Sequence, residues 1–252
     1  MKQYHIQLSE EQGARYAIIP GDPGRVEKIA AFLDDPHQVG YNREYNSYMG
    51  YLEGEKVLVV STGIGGPSCA ICVEELAKIG VDTFIRVGTC GGMQPEVAPG
   101  DVVIATGAIR MDGTSKEYMP IEFPAVADFH VTSALYSAAE KLGYPNHIGV
   151  VQAKDSFYGQ HSPESMPASA ELLSKWEAWK RGGCLASEME SAAVFSVASV
   201  RGVRAGTVLL AIMNKDRRKL GLPDEECHEV DRAIRVGVDA VRRLICSDRG
   251  KE

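Results

Sequence analysis

Glycines and arginines stand together after two predicted strands, and their chemistry is that of anion binding. Gly21 and Arg25 follow the first of these strands, and Arg86 emerges with Thr89 where a second, buried strand ends. Glycine lets backbone N–H groups approach an oxyanion, and the planar guanidinium fork matches the oxygens of phosphate. These residues, with Arg43 as a further candidate, predict a phosphate-type site.

Arg86 has a second interpretation, because a buried cation requires a partner whether or not it binds a ligand. An ion pair with an acidic neighbour would satisfy that need, and the local residues leave both interpretations open. The Gly-x-Gly-Gly run at 63–66 is less informative. Its spacing differs from the dinucleotide fingerprint, so it predicts a tight strand-to-helix turn.

An acidic segment with a methionine is the second chemical signal. Glu190 stands at the start of a predicted helix and can accept hydrogen bonds from a vicinal diol such as the 2′- and 3′-hydroxyls of ribose. Met189 would then pack against the sugar. The alternative is structural, because glutamate is favoured in the first turn of any helix.

The elements that position these residues alternate between strand and helix without a break in composition. Strands are predicted near 16–19, 38–45, 47–52, 57–61, 81–87, 101–109, 148–153, 184–187 and 203–212, and helices near 23–33, 67–79, 131–142, 168–181, 190–201 and 224–245. This order predicts an α/β sandwich with a mixed central sheet. Ligands of such sheets bind where strands end and loops converge, so the separate loops can form one pocket. The polar tail at 247–252 is expected to fray.

Bulk properties limit the class of protein. The 252 residues, with 44% hydrophobic and 24% charged residues, predict one domain over 1–252. A formal net charge of -7 argues against a general nucleic-acid binder. With no apolar run that suits a secretory signal or a bilayer span, we expect a cytoplasmic protein without a membrane partner. The scattered cysteines suit a reducing compartment, and the Cys-x-x-Cys at 69–72 indicates helix packing more than zinc or redox chemistry.

Several motifs in the order of a known family run along the chain. They are Tyr4-His5-Ile6, Pro20-Gly-Asp-Pro-Gly-Arg25-Val-Glu-Lys-Ile29, Arg43-Glu44-Tyr45, Ser61-Thr-Gly-Ile-Gly-Gly-Pro-Ser68, Ile85-Arg-Val-Gly-Thr89, Glu122-Phe-Pro-Ala-Val-Ala-Asp-Phe129, Phe157-Tyr-Gly-Gln160 and Glu188-Met-Glu190. The chain resembles the nucleoside phosphorylase-I family, and its uridine-cleaving members most closely. The resemblance implies a three-layer α/β/α sandwich and cleavage of a nucleoside with inorganic phosphate as co-substrate and no required cofactor. A hydrolytic nucleosidase or a catalytically silent nucleoside-binding protein is a competing hypothesis.

The resemblance also implies residue roles. Phosphate would be held by Gly21, Arg25, Arg86 and Thr89, with Arg43 supplied by a neighbouring subunit. Ribose would be held by Met189 and Glu190 with Glu188 beside them, and its 5′-hydroxyl by His5 of the neighbour. The base would contact Phe157 and Gln160. Arg86 and Glu190 would then be catalytic. Bacterial members are typically hexamers made of dimers, which implies a homo-oligomer with shared active sites. Glu44, Ile64 and Ser68 match positions that in some relatives hold a monovalent cation such as potassium at the dimer contact.

The base is the open question. Some uridine-cleaving relatives place an arginine two positions after the glutamine, where this chain has Ser162, and a second arginine where it has Lys215. Arg217 or Arg218 is a candidate replacement. Purine-cleaving relatives place an acidic residue near Asp216 to protonate the leaving base. Uridine is the leading substrate, a purine nucleoside or a broader range is the alternative, and His161 is a further candidate base contact.

Overall fold

The computed structural model describes residues 1–250. Its strands are β1 (Tyr16–Pro20), β2 (Asp34–Asn42), β3 (Tyr45–Leu52), β4 (Glu55–Val60), β5 (Thr83–Gly92), β6 (Val102–Met111), β7 (Ala125–Val126), β8 (Asn146–Lys154), β9 (Ala186–Glu188) and β10 (Arg204–Met213). Its α-helices are α1 (Val26–Ala30), α2 (Gly66–Lys78), α3 (Thr114–Tyr118), α4 (Phe129–Leu142), α5 (Phe157–His161), α6 (Ser169–Arg181), α7 (Ser191–Arg201), α8 (Lys215–Lys219) and α9 (Asp231–Arg249).

The strands form one mixed sheet that closes on itself in part. β1 pairs in parallel with β4 and β5, and β3 and β2 extend that edge as an antiparallel meander. On the other side β5 pairs with β10, β10 with β6, β6 with β8, β8 with β9, and β9 returns to β5. This ring brings the C-terminal parts of β5, β8, β9 and β10 together, although the strands do not all run in one direction.

Helices cover both faces of the sheet, as the alternation of residues along β1 requires. Ala17 and Ile19 face the core that includes α2 and α7, whereas Tyr16 and Ile18 face the core that includes α4 and α9. Neighbouring side chains of a strand point to opposite faces, so a strand buried on both sides reads as a continuous apolar run. The predicted α/β sandwich with a mixed central sheet is confirmed.

Local signals set several boundaries. Asp22 caps the turn after β1, its side chain accepting from the Gly24 N–H at 2.9 Å. Gly63 and Gly65 have φ of 71° and 90° just before α2, so this run forms the predicted tight turn into a helix. Cys69 and Cys72 lie on the buried side of α2, and burial raises the pKa of Cys69 to about 12. They are therefore packing residues of that helix.

The predicted elements fail near both ends of the chain. The strand predicted at 38–45 is Asp34–Asn42, so Arg43 lies in the turn after it, and the helix predicted at 23–33 ends at Ala30. The last helix begins at Asp231 instead of 224 and continues to Arg249, so residues 247–249 of the expected frayed tail are helical. Residues 251–252 of that tail lie outside the described residues. The short helices α5 and α8 stand where loops were expected, because helices of a single turn leave too little periodicity to read. Within residues 1–250, no helix is long and apolar enough to cross a membrane.

Candidate active site

A cavity of about 750 Å³ opens where the predicted anion and diol loops meet. The C-terminal parts of β1, β5, β8, β9 and β10 all reach it. Of the residues predicted to bind ligand, it is lined by Gly21, Arg25, Ile64, Arg86, Thr89, Phe157, Glu188, Met189 and Glu190. Segments more than a hundred residues apart in sequence therefore form one wall, as the loop positions predicted.

Arg86 stands at the centre of the polar wall. Its Nε donates to Glu188 Oε2 at 3.1 Å, and its Nη2 donates to Glu190 Oε2 at 2.5 Å. Burial opposes the charged form, but Glu190 and Glu188 outweigh it and raise the pKa of Arg86. Arg86 therefore does form the ion pair with acidic neighbours that was one of its two interpretations from the sequence. It does not use the whole guanidinium, because Nη1 is buried without a hydrogen-bond partner in the described part of the chain.

Two glycines shape the space around this guanidinium. A Cβ at Gly88 would lie 2.7 Å from Arg86 Nη2 and 2.8 Å from Leu209 Cδ2, so a side chain there would displace the arginine. Gly21 faces the other side, where a Cβ would lie 3.9 Å from Nη1. The unpartnered Nη1 therefore points toward the glycine turn that the sequence marked as an anion-binding loop.

Arg25 supplies a second positive charge beside the first. Its Nη1 donates to the Val87 carbonyl at 3.1 Å. Burial and then the neighbouring Arg86 lower the pKa of Arg25, while Asp22 and Glu190 oppose this shift. Two like charges held close in a partly buried pocket favour an anion between them. Thr89, half-buried on the same wall, adds a hydroxyl.

The acidic segment lies across the end of β9 and the first turn of α7. Glu188 Oε2 accepts from the Glu190 N–H at 3.0 Å, and Glu188 Oε1 accepts from the Ser191 N–H at 2.9 Å. Burial raises the pKa of Glu188 against the opposing effect of Arg86. Glu190 Oε1 accepts from the Gly65 N–H at 2.6 Å. Each carboxylate oxygen has two lone pairs, so Glu190 keeps capacity for hydroxyl donors.

The expected base residues lie together on α5. The rings of Phe157 and His161 are 4.2 Å apart between centroids, and Phe157 is half exposed in the cavity. Gln160 lines a neighbouring cavity instead of this one, and its Oε1 accepts from Ser187 Oγ at 3.0 Å. Burial, Lys215 and Lys154 lower the pKa of His161 to about 4, so its imidazole is neutral at neutral pH.

Lys154 and Ser187 are site residues that sequence reasoning did not single out. Both line the first cavity and a second one of about 480 Å³, whose far wall carries Trp176 and Trp179. Lys154 Nζ donates to Ser187 Oγ at 2.7 Å. A signal was present, because Lys154 directly follows the predicted strand 148–153, just as Arg86 was expected at the end of the predicted strand 81–87. In the structure Lys154 does end β8, whereas Arg86 lies within β5, which continues to Gly92.

His5 and Arg43 lie outside both cavities as the described residues form them. His5 Nδ1 is 2.6 Å from Glu75 Oε1, and the His5 carbonyl accepts from Asn42 Nδ2 at 2.7 Å. Arg43 is exposed in the turn between β2 and β3, with φ of 55°. The Asn42 hydrogen bond holds the two residues on one surface, although neither reaches the site of its own chain.

The three expected cation ligands are brought together around Gly63. Ser68 Oγ donates to the Ile64 carbonyl at 3.3 Å, and a Cβ at Gly63 would lie 2.9 Å from Glu44 Cγ. A hydroxyl, a carbonyl and a carboxylate are oxygen ligands of the kind that hard cations prefer. The residues present thus fit such an ion, and its binding stays a prediction.

Asp216 and its basic neighbours differ from what the sequence suggested. Asp216 Oδ2 is 2.9 Å from Lys180 Nζ, so this carboxylate is committed to an ion pair. Arg217 donates to the carbonyls of Pro223 and Pro95. The expectation that Arg217 or Arg218 replaces the missing arginine is wrong, because backbone carbonyls hold Arg217 and neither residue lines a cavity among residues 1–250.

Arg218 is engaged on the outside of the same loop, where its Nε donates to Asp224 Oδ2 at 2.7 Å. Lys215, the other basic neighbour, donates from Nζ to the His161 carbonyl at 3.1 Å. Lys215 is exposed and lines the second cavity. The basic side chains of α8 therefore bind groups of the protein around this helix, and they do not gather around the expected position of the base.

The fold and site define an α/β protein in which two arginines and two buried carboxylates line one cavity. The chain belongs to the phosphorylase superfamily, whose family model matches residues 15–246. Its resemblance to the nucleoside phosphorylases is thereby confirmed.

Three curated relatives match this chain over nearly its whole length. The chain is 59% identical to a uridine phosphorylase of Treponema pallidum over 98% of this chain and 95% of the relative. It is 43% identical to a uridine phosphorylase of Klebsiella aerogenes over 96% of this chain and 98% of the relative. It is also 41% identical to a guanosine phosphorylase of Halorubrum lacusprofundi over 96% of this chain and 99% of the relative.

Proposed function

We propose that the chain catalyses the phosphate-dependent cleavage of uridine to uracil and ribose 1-phosphate. The observation that carries this is the buried, unpartnered Nη1 of Arg86, which faces Gly21 in a pocket that Arg25 also enters. A buried donor without a partner carries a free-energy cost of about 1–3 kcal/mol, which an oxyanion would relieve. A hydrolytic nucleosidase would have no use for these paired arginines.

The geometry supports charge stabilisation as the mechanism. As the bond between C1′ and the base lengthens, the ribose becomes oxocarbenium-like, and the phosphate held by Arg25 and Arg86 balances it. Glu190 fixes the ribose hydroxyls while Arg86 and the Gly65 N–H fix Glu190. Phosphate is already nucleophilic at neutral pH, so orientation does the work of a strong base.

Uridine is favoured over a purine for two reasons. The Treponema pallidum relative at 59% identity is a uridine phosphorylase, while the guanosine phosphorylase is a relative at 41%. A purine is helped by a proton donor at N7, but the Asp216 carboxylate is engaged by Lys180, whose Nζ lies 2.9 Å from Oδ2. A pyrimidine leaves as an anion and needs cations and donors near the base.

We also propose that the active site is completed by a second copy of the chain, in a homo-hexamer made of dimers. His5 and Arg43 lie on one surface with the exposed Tyr4, Tyr41 and Ile64. Such a surface supplies both apolar contact area and ligand donors for a neighbour. The free cysteines favour the cytoplasm as the place of action.

A nucleoside panel tests the proposal. Uridine, thymidine, inosine, adenosine and guanosine are incubated with and without phosphate, and the free base and ribose 1-phosphate are quantified. We expect uridine to be cleaved fastest, and only with phosphate. Base release without phosphate would indicate a hydrolase, and faster release from purine nucleosides that Asp216→Asn abolishes would place the chain among the purine enzymes.

A further inference from the structure

Lys154 is a buried cation that the phosphate and ribose residues do not account for. It ends β8 with 4% of its surface exposed, and it lines both cavities. Its Nζ donates to Ser187 Oγ at 2.7 Å and to the Glu188 carbonyl at 3.3 Å. A lysine ammonium has three N–H donors, so these contacts leave one for a ligand.

Ser187 connects this lysine to the base contact on α5. Because Lys154 can only donate, Ser187 Oγ accepts from it and directs its own proton to a glutamine carbonyl. Gln160 Oε1 lies 3.0 Å from Ser187 Oγ and Gln152 Oε1 lies 2.6 Å from it. The single hydroxyl proton serves one of these oxygens at a time, and Gln152 is the nearer. Lys154 and the expected base contact Gln160 therefore lie at neighbouring points of one network.

The other cations near the base are committed elsewhere. Lys215 is exposed and donates to the His161 carbonyl at 3.1 Å, while Arg217 and Arg218 are bound to groups outside the cavities. Arg25 and Arg86 stand at the phosphate end. Of the lysines and arginines among the described residues that line the first cavity, Lys154 is the nearest in sequence to the base-contact helix α5.

We propose that Lys154 is a catalytic residue that donates a hydrogen bond to a carbonyl oxygen of the departing uracil and balances its negative charge. This inference rests on the proposed function. As the C1′–N1 bond breaks, its electron pair moves to N1 and spreads to the ring carbonyls, while a phosphate oxygen bonds to C1′. Lys154 keeps its proton throughout, so it stabilises charge and is not the acid that protonates the base.

The electrostatics of the site agree with this geometry. Burial lowers the pKa of Lys154, and the carboxylates of Glu188 and Glu190 oppose that shift. An ammonium that is poorly solvated gains more from a new anionic partner than an exposed one does. Its effect should therefore be larger in the transition state, where uracil becomes anionic, than with neutral uridine.

The test compares leaving groups of different acidity. Lys154→Met and Lys154→Gln are assayed with uridine and with 5-fluorouridine, whose base is the stronger acid and needs less help to leave. We expect kcat with uridine to fall about 10²- to 10³-fold and kcat with 5-fluorouridine to fall clearly less. Lys141→Met, which removes an exposed lysine of α4 that pairs with Asp239 and lines neither cavity, should leave both rates unchanged.

Equal losses on the two substrates, or no loss, would overturn the role of Lys154. Phosphate-dependent uracil release by the unmodified enzyme is measured first, so a failure of the proposed function is seen separately. A binding measurement provides a second test in case a variant loses activity because it folds poorly. The unmodified enzyme should bind 5-nitrouracil more tightly as its ring deprotonates, and folded Lys154→Gln should lose that gain. An unmodified enzyme without the gain would contradict the proposal.

Discussion

Arg86 combines an internal and an external role. Two of its nitrogens satisfy the buried carboxylates of Glu188 and Glu190, and the third faces the anion pocket. Arg25, by contrast, has a backbone carbonyl as its partner and is less enclosed. Replacing each arginine in turn should therefore separate an effect on stability from an effect on the proposed phosphate binding.

We expect Arg86→Ala to reduce both stability and phosphate use. Breaking a buried ion pair from one side costs about 3–5 kcal/mol, because it leaves carboxylates buried without a counter-charge. Arg25→Ala should lower kcat/KM for phosphate by about ten- to a hundredfold with a smaller loss of stability. Thermal unfolding and phosphate kinetics of both variants provide the comparison, and equal melting temperatures would contradict it.

His161 makes stability depend on pH. Its pKa is lowered from 6.5 to about 4, so between these values the unfolded chain binds a proton that the folded chain does not. The free energy of unfolding should therefore fall as the pH drops from 6.5 toward 4.

His161→Asn should lose less stability than the unmodified protein between pH 7 and pH 5, because the variant has no imidazole to protonate on unfolding. Denaturant unfolding at the two pH values measures this, with the exposed His228→Asn as the control. If all three proteins lose the same free energy, the imidazole of His161 does not contribute.

At the scale of elements, the end of the last helix, α9, is bound to the sheet. Asp248 accepts from the Tyr16 hydroxyl at 2.9 Å and from Arg204 Nη2 at 2.6 Å. The hydrogen bond from Arg204 lowers the pKa of Asp248, and burial raises the pKa of Tyr16 to about 12 with Asp248 adding to the shift. The last turn of α9 thereby ties β1 to β10.

Removing residues 247–252 should destabilise the protein more than removing 251–252 does, because only the longer truncation removes Asp248. The longer truncation leaves Tyr16 and Arg204 without their carboxylate, at a cost of about 1–3 kcal/mol. Thermal unfolding of the two truncations and of Asp248→Asn tests this. A longer truncation as stable as the shorter one would mean that the contact contributes nothing.

At the scale of the whole molecule, the site of one chain lacks two of the expected ligand-binding residues. His5 and Arg43 are held together on the outer surface by Asn42, and Glu75 fixes the ring of His5. Their placement follows from the β2–β3 meander, which carries this edge of the sheet away from the cavity. A second copy is the simplest source of these groups.

Mixing inactive subunits tests this sharing. Arg43→Ala and Arg25→Ala chains, each poorly active alone, should regain activity when their subunits exchange, because one of the two sites in a mixed dimer then has both arginines intact. Exchange is confirmed by native mass spectrometry of tagged chains. Activity that stays at the level of the separate variants after exchange would show that each chain builds its site alone.

The sequence by itself determined the alternation of elements, the glycine turns and which residue types are suited to bind an anion and a diol. These depend on local periodicity, backbone freedom and side-chain type, which are properties of short segments. Arg86, Glu190 and Gly21 were therefore identifiable before any fold was known. The long motifs, which span most of the chain, also identified the family.

Tertiary structure alone decided which charges face a ligand and which face each other. Asp216 is paired with Lys180, Arg217 with distant carbonyls, and Asp248 with β1 and β10, none of which is a sequence neighbour with a recognisable spacing. Lys154 became a candidate only once β8 and β9 placed it beside Ser187. The reason is physical: the free energy of a charged side chain depends on its partners and burial, and the closed ring of strands sets both.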